Sequence, residues 1–503
     1  MKDSAAVVFT LVASLCVGAA QAAGGLDQLN RGGNGLSFDQ FVNKTLRDHN
    51  VPGAVVVVVE DDRTIFLKGY GVRAAGKPGL VDENTRFQLA SLSKFLAASA
   101  LGTLVDEHKL SWDTPIVEYL PDLEFNDPYA TRHATLRDLL AHRSGLPAYT
   151  GDLLTRLGYD AEQIRYRLRF LVPDHSFREY WAYSNYGIFI AGAVGARAAG
   201  LTDAQLITDK LFLPLGMNRS GPILAEMLKD DNHADAHNLD GSIMPFENVD
   251  VLDGAGAFVS TGADMAHWLR MMLADGHSEG RQILQPATVK ELYAASMVQG
   301  IGGPLHDPND SAGLGCESYR FMLGRVIEKN GALNGMRTIV TLIPEKKVGV
   351  VVMANKQVSV FPEAVRAEFL ERYLGPSGHD LQAEIRAEQK AWDSLVVPPR
   401  PPADARPLDR DQLTLAGTYA SKLYGSSTVI ADGDTLRIEF GPNQYRGSLR
   451  HWSGDSFLLF FTDPDVTSGL ITFTFGPTGT VTGFDSGKIP GAFTVDYGRF
   501  DRM

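Results

Sequence analysis

Cysteine is nearly missing: the chain of 503 residues holds two, Cys16 and Cys316, so at most one disulfide is available. A disulfide-stapled scaffold is excluded. Positive charge is also short, with 47 Lys and Arg against 60 Asp and Glu for a net charge of -13, and no basic patch offsets that balance. Nucleic acid and anionic lipid are therefore not expected partners. Long apolar runs are scarce as well. The single candidate lies at the N-terminus, where Lys2 precedes a 16-residue mostly apolar run from Ala5 to Ala20. That length falls short of the roughly 20 residues a spanning helix needs. Ala20-Gln21-Ala22 supplies the small-x-small pattern of a signal peptidase site, so residues 1–22 read as a signal peptide cleaved after Ala22. Leu15, where a lipoprotein would carry a small residue, argues against lipidation at Cys16. The expectation is a periplasmic or secreted protein with one thiol and no membrane tie.

What remains is ordinary globular material, 44% hydrophobic and 21% charged, with length for about three domains. The sharpest break is Pro398 to Pro407, where five of ten residues are proline. Such a run cannot form a helix or a central strand and reads as a stiff linker. The organisation expected is a large mixed region over 23–395, a linker over 396–409 and an all-β tail over 410–503. In the tail Leu436, Ile438 and Phe440 alternate with Arg437 and Glu439 after an Asp432-Gly433 turn. Ile471, Phe473 and Phe475 repeat the pattern, as do Phe493, Val495 and Tyr497. That predicts a small antiparallel barrel or sandwich.

In the large region Val55 to Val59 and Thr64 to Tyr70 flank Asp61-Asp62-Arg63, a hairpin. Met336 to Ile343 and Val348 to Met353 flank Pro344 to Lys347, a second one. Helical spacing runs through Phe95 to Val105, Leu136 to Leu140 and Met265 to Leu273. Distant hairpins that pair in one antiparallel sheet, with the intervening helices against it, make an α+β fold rather than a βαβ repeat.

Three short motifs can carry chemistry. Ser91-Leu92-Ser93-Lys94 opens an apolar helix, and i, i+3 spacing puts the Ser91 hydroxyl and the Lys94 amine on one face. A buried lysine there is costly unless it is used. Tyr183-Ser184-Asn185 offers a phenol and an amide just before another apolar helical run. Lys329-Asn330-Gly331 places a lysine on a strand, with a glycine that lets a substrate backbone approach the strand edge. A rival is His233-Ala234-Asp235-Ala236-His237, two imidazoles at i, i+4 with Asp231 near, which could hold zinc. It lacks the catalytic Glu of a zinc protease. The α/β-hydrolase elbow is set aside as an alternative.

These elements, in this order, resemble the serine penicillin-recognising family: class C β-lactamases, D-alanyl-D-alanine carboxypeptidases, D-amino-acid peptidases and related esterases. Thr135 to Pro147, Pro214 to Met217 and Ala354 to Lys356 are similar to stretches of that family, so the resemblance spans roughly residues 36–375. It implies Ser91 as nucleophile, Lys94 and Tyr183 as a shared base system, and Asn185 and Lys329 orienting and attracting the substrate. The resemblance further implies that the backbone N–H groups of Ser91 and Ala332 form the oxyanion hole, with Asn330 and Gly331 lining the substrate strand. Lys329 also supplies the second charge that disfavours a protonated Lys94. The hydroxyl at 91 and the two amines are expected to converge in the folded chain. Asn330 departs from the usual Thr or Ser of the third motif, which weighs against efficient β-lactam turnover. The tail resembles the lipocalin-like domain appended to some D-amino-acid peptidases and is expected to restrict substrate size.

The expected function is thus an exported serine hydrolase acting on a small-molecule or peptide substrate, with no cofactor and no metal. A homo-oligomer remains open. The order of preference is peptidase on D-residue or unusual peptides, then esterase, then β-lactamase. Outside that chemistry stand a metal-dependent hydrolase and a noncatalytic penicillin-binding receptor, the latter lacking an output module.

Overall fold

The computed structural model describes residues 26–31, 35–300, 309–395, 399–433, 435–461, 468–487, 489 and 497–503. The signal segment over 1–22 and the alternating Phe493 and Val495 lie outside them. The chain divides into two compact units, one formed by 1–112 and 195–389, the other by 113–194 and 390–503.

The first unit is built on an antiparallel sheet. Its strands are β1 (Gly53–Glu60), β2 (Arg63–Gly71), β3 (Met297–Val298), β4 (Ser311–Ala312), β5 (Glu317–Phe321), β6 (Gly324–Leu333), β7 (Met336–Ile343) and β8 (Val348–Ala354). They lie in the order β2-β1-β8-β7-β6-β5-β4-β3. Both expected hairpins form, and they join where β1 pairs with β8, Val56 opposite Val352.

Helices α1 (Phe38–Asp48), α2 (Ser93–Asp106), α3 (Gly262–Leu273) and α4 (Phe361–Leu374) pack in this unit. Phe38 and Val42 of α1 and Phe361, Val365 and Phe369 of α4 share one core with Val56, Val58, Val350 and Val352. Helix α3 covers the other face of β1 and β8. Because both faces are covered, Val55 to Val59 is buried at every position. This is why the run is continuously apolar instead of alternating. Each such valine contributes about 1.5–3 kcal/mol by leaving water.

Strand β6 carries a polar exception. Glu328 is buried yet accepts from Tyr319 Oη at 2.8 Å and Thr341 Oγ1 at 2.9 Å, and pairs with the buried Arg366 of α4. A buried carboxylate persists only with its lone pairs occupied in this way.

In the second unit the tail forms a closed barrel, which decides between the two sequence alternatives. Its strands are β9 (Gly417–Ser421), β10 (Gly425–Asp432), β11 (Thr435–Phe440), β12 (Tyr445–Ser453), β13 (Ser456–Phe461), β14 (Gly469–Phe475), β15 (Val481–Gly487) and β16 (Arg499–Arg502). Closure comes from β9 pairing with β16, Tyr419 opposite Arg502. Leu436, Ile438, Phe440, Ile471 and Phe473 turn inward, whereas Phe475, past a register shift, is half-buried against Arg410; the interior fills with rings, Phe484 stacking on Phe500 at 4.7 Å and lying 5.1 Å from Tyr419. Eight strands leave just enough room for side chains to do this.

The rest of the unit is a lobe of short helices over 113–194. Its anchor is Asp138, fully buried. Thr135 and Asp138 form a capping box at the start of Leu136–Leu140. The same carboxylate accepts from Arg143 Nε at 2.7 Å and from Arg178 Nε and Nη2 at 2.9 and 2.8 Å. Burial alone would raise the Asp138 carboxyl, but hydrogen bonds from Arg178, Thr135 and Arg143 outweigh it and hold it below its ordinary value. A depressed carboxyl contributes stability above the unfolded value and loses it as pH falls through the folded one. Asp138→Ala is therefore expected to cost about 3–5 kcal/mol at neutral pH, the typical loss on breaking a buried ion pair. The gap between variant and wild type should narrow as pH falls below about 4 toward the depressed folded value, because the unfolded wild-type chain takes up a proton there before the folded carboxyl does. Urea melts at both pH values measure this.

Candidate active site

In the first unit the chemistry gathers at the turn that starts α2. Leu89 N–H donates to the Phe258 carbonyl at 2.8 Å, the Leu89 carbonyl accepts from Thr338 Oγ1 at 2.7 Å, and Phe258 N–H donates to Ser93 Oγ at 3.2 Å. Ala90 is held at φ 52°, left-handed for a residue with a side chain, a conformation that only a surrounding clamp sustains. Ser91 follows in a single 3₁₀ turn and is half-buried. Lys94, one turn on, has no solvent exposure. Its Nζ lies 3.0 Å from Ser91 Oγ and also meets the Ala255 carbonyl. A proton can pass between a hydroxyl and an amine at that separation.

The third motif lies on β6 against the same turn. Gly331 has a different task from the one its sequence position suggested. A Cβ there would sit 2.4 Å from the Leu89 carbonyl oxygen and 2.9 Å from the Leu92 nitrogen. The chain's own nucleophile turn, rather than a substrate, occupies the space the missing side chain leaves. Beyond Glu328, which faces Glu317, β6 no longer pairs with β5. It stays paired with β7 through Leu333, so among the described residues Asn330 to Leu333 have strand pairing on one side, with Ala332 exposed. By the pleat Lys329 shares the Gly331 face, while Asn330, half-buried, lies on the Glu328 face.

Lys329 is buried, and its Nζ pairs with Glu317 Oε1 at 2.9 Å. The reading of Lys329 as an added positive charge needs correction, because the partner carboxylate offsets most of that field. Glu317 itself is missed by sequence reasoning. No pattern in the chain announces it, since the register of Glu317–Phe321 with Gly324–Leu333 sets Glu317 opposite Glu328, one position short of Lys329.

The second unit holds the phenol and the amide. Ser184 Oγ accepts from Gly187 N–H at 3.2 Å, so the middle residue of the motif is a cap for the helix Asn185–Ala199. Asn185 Nδ2 donates to Asp152 Oδ2 at 2.9 Å. The Tyr183 ring lies between His142 and Tyr149, with centroids at 4.7 and 5.2 Å, and its carbonyl accepts from Tyr149 N–H at 3.0 Å. His142 Nδ1 accepts from Ser184 N–H at 3.2 Å, which puts the ring proton on Nε2, and its carbonyl takes Ala182 N–H at 2.8 Å. His142, Tyr149 and Asp152 thus frame the motif, and none had a role assigned from sequence. His142 lies inside the Thr135 to Pro147 stretch, which was the available signal.

Two alternatives fail on geometry. The His233 and His237 pair is not on a helix. His237 Nδ1 meets the Asn355 carbonyl at 2.8 Å and its Nε2 accepts from Ala75 N–H at 2.9 Å. Burial pushes its imidazole below the ordinary value, and with both nitrogens taken by backbone it is a structural histidine. Gly276-His277-Ser278-Glu279-Gly280 spells Gly-x-Ser-x-Gly, so the elbow alternative set aside from the sequence is decided by geometry. Ser278 pairs with Arg281 in a two-stranded hairpin, and a strand, Arg281–Gln282, directly follows it where an elbow requires a helix.

A family model described as Beta-lactamase matches residues 38–374, a span that contains every motif above. A second, described as a domain of unknown function (DUF3471), matches residues 398–494. An unguisins hydrolase of Aspergillus campestris is 27% identical over 341 residues, covering 63% of this chain and 61% of that one. The chain thus spans less than two thirds of that relative's length. Among solved structures, the octameric penicillin-binding protein homologue from Pyrococcus abyssi superposes with a TM-score of 0.59 at 19% identity, covering 92% of this chain and 98% of that one. SurE with D-Leu gives 0.54 at 19%, covering 93% and 98%. At these identities the likeness is one of fold.

Proposed function

The chain belongs to the beta-lactamase family of serine hydrolases, and from that premise we propose that it cleaves an amide in peptides with D- or otherwise unusual residues, through an acyl-Ser91 intermediate. The observation that carries this reading is the 3.0 Å approach of Lys94 Nζ to Ser91 Oγ at a fully buried lysine. Out of water, the lysine loses the hydration that favours its cation, which is the condition a lysine base needs.

In the proposed reaction Ser91 Oγ attacks the scissile carbonyl while its proton passes to the Lys94 and Tyr183 base system. The backbone N–H groups of Ser91 and Ala332 receive the oxyanion. Collapse expels the amine, which takes a proton from the same base system, and water then attacks the acyl-serine by the reverse route. Asn185 orients the substrate amide. The stretch Asn330 to Leu333 of β6, paired with β7 on one side, suits an extended peptide backbone adding as a strand, and Lys329, paired with Glu317, lends its remaining field to an anionic group.

The choice of peptide over ester and β-lactam draws on Asn330, which brings no hydroxyl to the third motif. It also draws on a relative named for hydrolysing unguisins and on a fold neighbour solved with D-Leu. Export with cleavage after Ala22 is part of the proposal, and N-terminal sequencing of the mature protein should begin at Ala23. The substrate test is kcat/KM on D- and L-amino-acid p-nitroanilides, a p-nitrophenyl ester and a cephalosporin. D-anilides are expected to exceed L-anilides by about tenfold or more, a difference of roughly 1.4 kcal/mol in transition-state binding. A cephalosporin turned over faster than every anilide would overturn the peptide assignment.

A further inference from the structure

With its interior filled by Phe440, Phe457, Phe473, Phe484 and Phe500, the barrel has its surface loops left for interaction. Two of them grip the helical lobe of the same unit. Arg167 Nη1 donates to the carbonyls of Lys422 and Leu423, each at 3.1 Å, in the connection between β9 and β10. Tyr159 Oη donates to the Tyr424 carbonyl at 3.1 Å. Next to it Gly425 stands at φ 76°, and a Cβ there would sit 2.1 Å from Tyr159 Oη. In the turn between β11 and β12, Asn443 N–H donates to the Leu157 carbonyl at 3.0 Å.

The tip of the first loop reaches the frame of the Tyr183-Ser184-Asn185 motif. Tyr424 is 1% exposed, its ring packed on Tyr497 and Phe500. Its Oη accepts from Gly151 N–H at 3.2 Å. The Gly151 carbonyl in turn accepts from Tyr186 Oη at 2.6 Å, and burial pushes the Tyr186 phenol well above its ordinary value, so it remains a donor. One peptide plane at each side of Gly151 is thus held, from the barrel and from the helix that carries Asn185. Asp152, the next residue, accepts the Asn185 amide at 2.9 Å. Between Tyr149, whose ring lies against Tyr183, and Asp152, which holds Asn185, the barrel fixes a segment that touches both motif side chains.

We propose that Tyr424 is a positioning residue for hydrolysis, acting through Gly151 and Asp152 on Asn185, so that the barrel presets the substrate-orienting amide. This rests on the acyl-Ser91 reading above and replaces size restriction as the barrel's main role. The chain Tyr424–Gly151–Asp152–Asn185 is serial. Removing its first link and its last therefore cannot give independent losses.

The test is a double-mutant cycle in the full-length chain with the best substrate of the panel, using Tyr424→Phe, Asn185→Ala and both together. Tyr424→Phe keeps the ring and removes the hydroxyl that accepts from Gly151 N–H. Its kcat/KM is expected to fall about 5- to 10-fold, mostly in kcat, with Asn185→Ala down about 100-fold and the double variant no lower than Asn185→Ala. Losses that multiply, or a Tyr424→Phe variant equal to wild type, overturn the proposal. Should Tyr424→Phe fold poorly, Arg167→Gln, which frees the same loop from the surface, enters the same cycle with the same two criteria. Loss of Ser91 dependence in the wild type would sink the acyl-serine reading instead. Ser91-dependent hydrolysis with an unaffected Tyr424→Phe sinks only the positioning role.

Discussion

Ser91→Ala is expected to lower kcat on the best substrate by about 10⁴- to 10⁶-fold with the fold intact, the range seen when a covalent nucleophile is removed and the oxyanion donors remain. The side chain is half-buried in a turn held by its neighbours' backbone groups, so losing one hydroxyl oxygen there leaves packing almost unchanged. Lys94→Met should lose a comparable factor, because residues that work as one unit do not contribute separately. Their double variant should be no slower than either alone. Lys94 also donates to the Ala255 carbonyl, so methionine leaves that acceptor unpaired in the core, at about 1–3 kcal/mol. The melting temperature should therefore fall for Lys94→Met and stay level for Ser91→Ala. Equal activity of Ser91→Ala and wild type would remove the nucleophile from the scheme.

Gly331→Ala is the second large effect, and it comes from a single methyl. The new Cβ would stand 2.4 Å from the Leu89 oxygen, 2.5 Å from Thr338 Oγ1 and 2.9 Å from the Leu92 nitrogen. Two of those atoms belong to the backbone on either side of Ser91, and the third is the hydroxyl that anchors Leu89. Something must move by a sizeable fraction of an ångström, and a displacement of that order at reacting atoms costs about 10²-fold in rate. Overpacking adds about 1–3 kcal/mol of instability. Gly487→Ala is the control, since a Cβ there meets nothing within 4 Å. Steady-state kinetics and urea melts of the pair should show a loss in kcat for Gly331→Ala and no change for Gly487→Ala. A Gly331→Ala enzyme with wild-type kcat would mean that β6 does not set the nucleophile turn.

Local patterns in the chain were readable, as was the joining of the two distant hairpins in one sheet, while the partners of the site residues were not. The i, i+3 spacing of Ser91 and Lys94 survives folding as a 3.0 Å contact because it needs only one helical turn. The run Val55 to Val59 was legible as a strand from its branched side chains alone. That α3 and α4 cover its two faces depends on residues some 200 to 300 positions away. Alternation in the tail fixed strands and inner faces, but barrel against sandwich turned on whether β9 meets β16, about 80 residues apart along the chain, through Tyr419 and Arg502. Glu317 beside Lys329 and Asp152 beside Asn185 are partners across strands and loops, and no periodicity announces them. Gly331 shows the remaining kind of error, in which the glycine was singled out correctly but the close neighbour it accommodates was misassigned, because sequence does not say what packs against a strand.

The most direct measurement is the mass of the protein during turnover. Acid quench of the enzyme with a slow ester or anilide substrate, followed by intact mass and peptide mapping, should find the substrate's acyl group added to the peptide that contains Ser91. The adduct should be lost with Ser91→Ala. Hydrolysis that proceeds with no adduct at any residue, or with an adduct at another residue while Ser91→Ala remains active, would contradict the account.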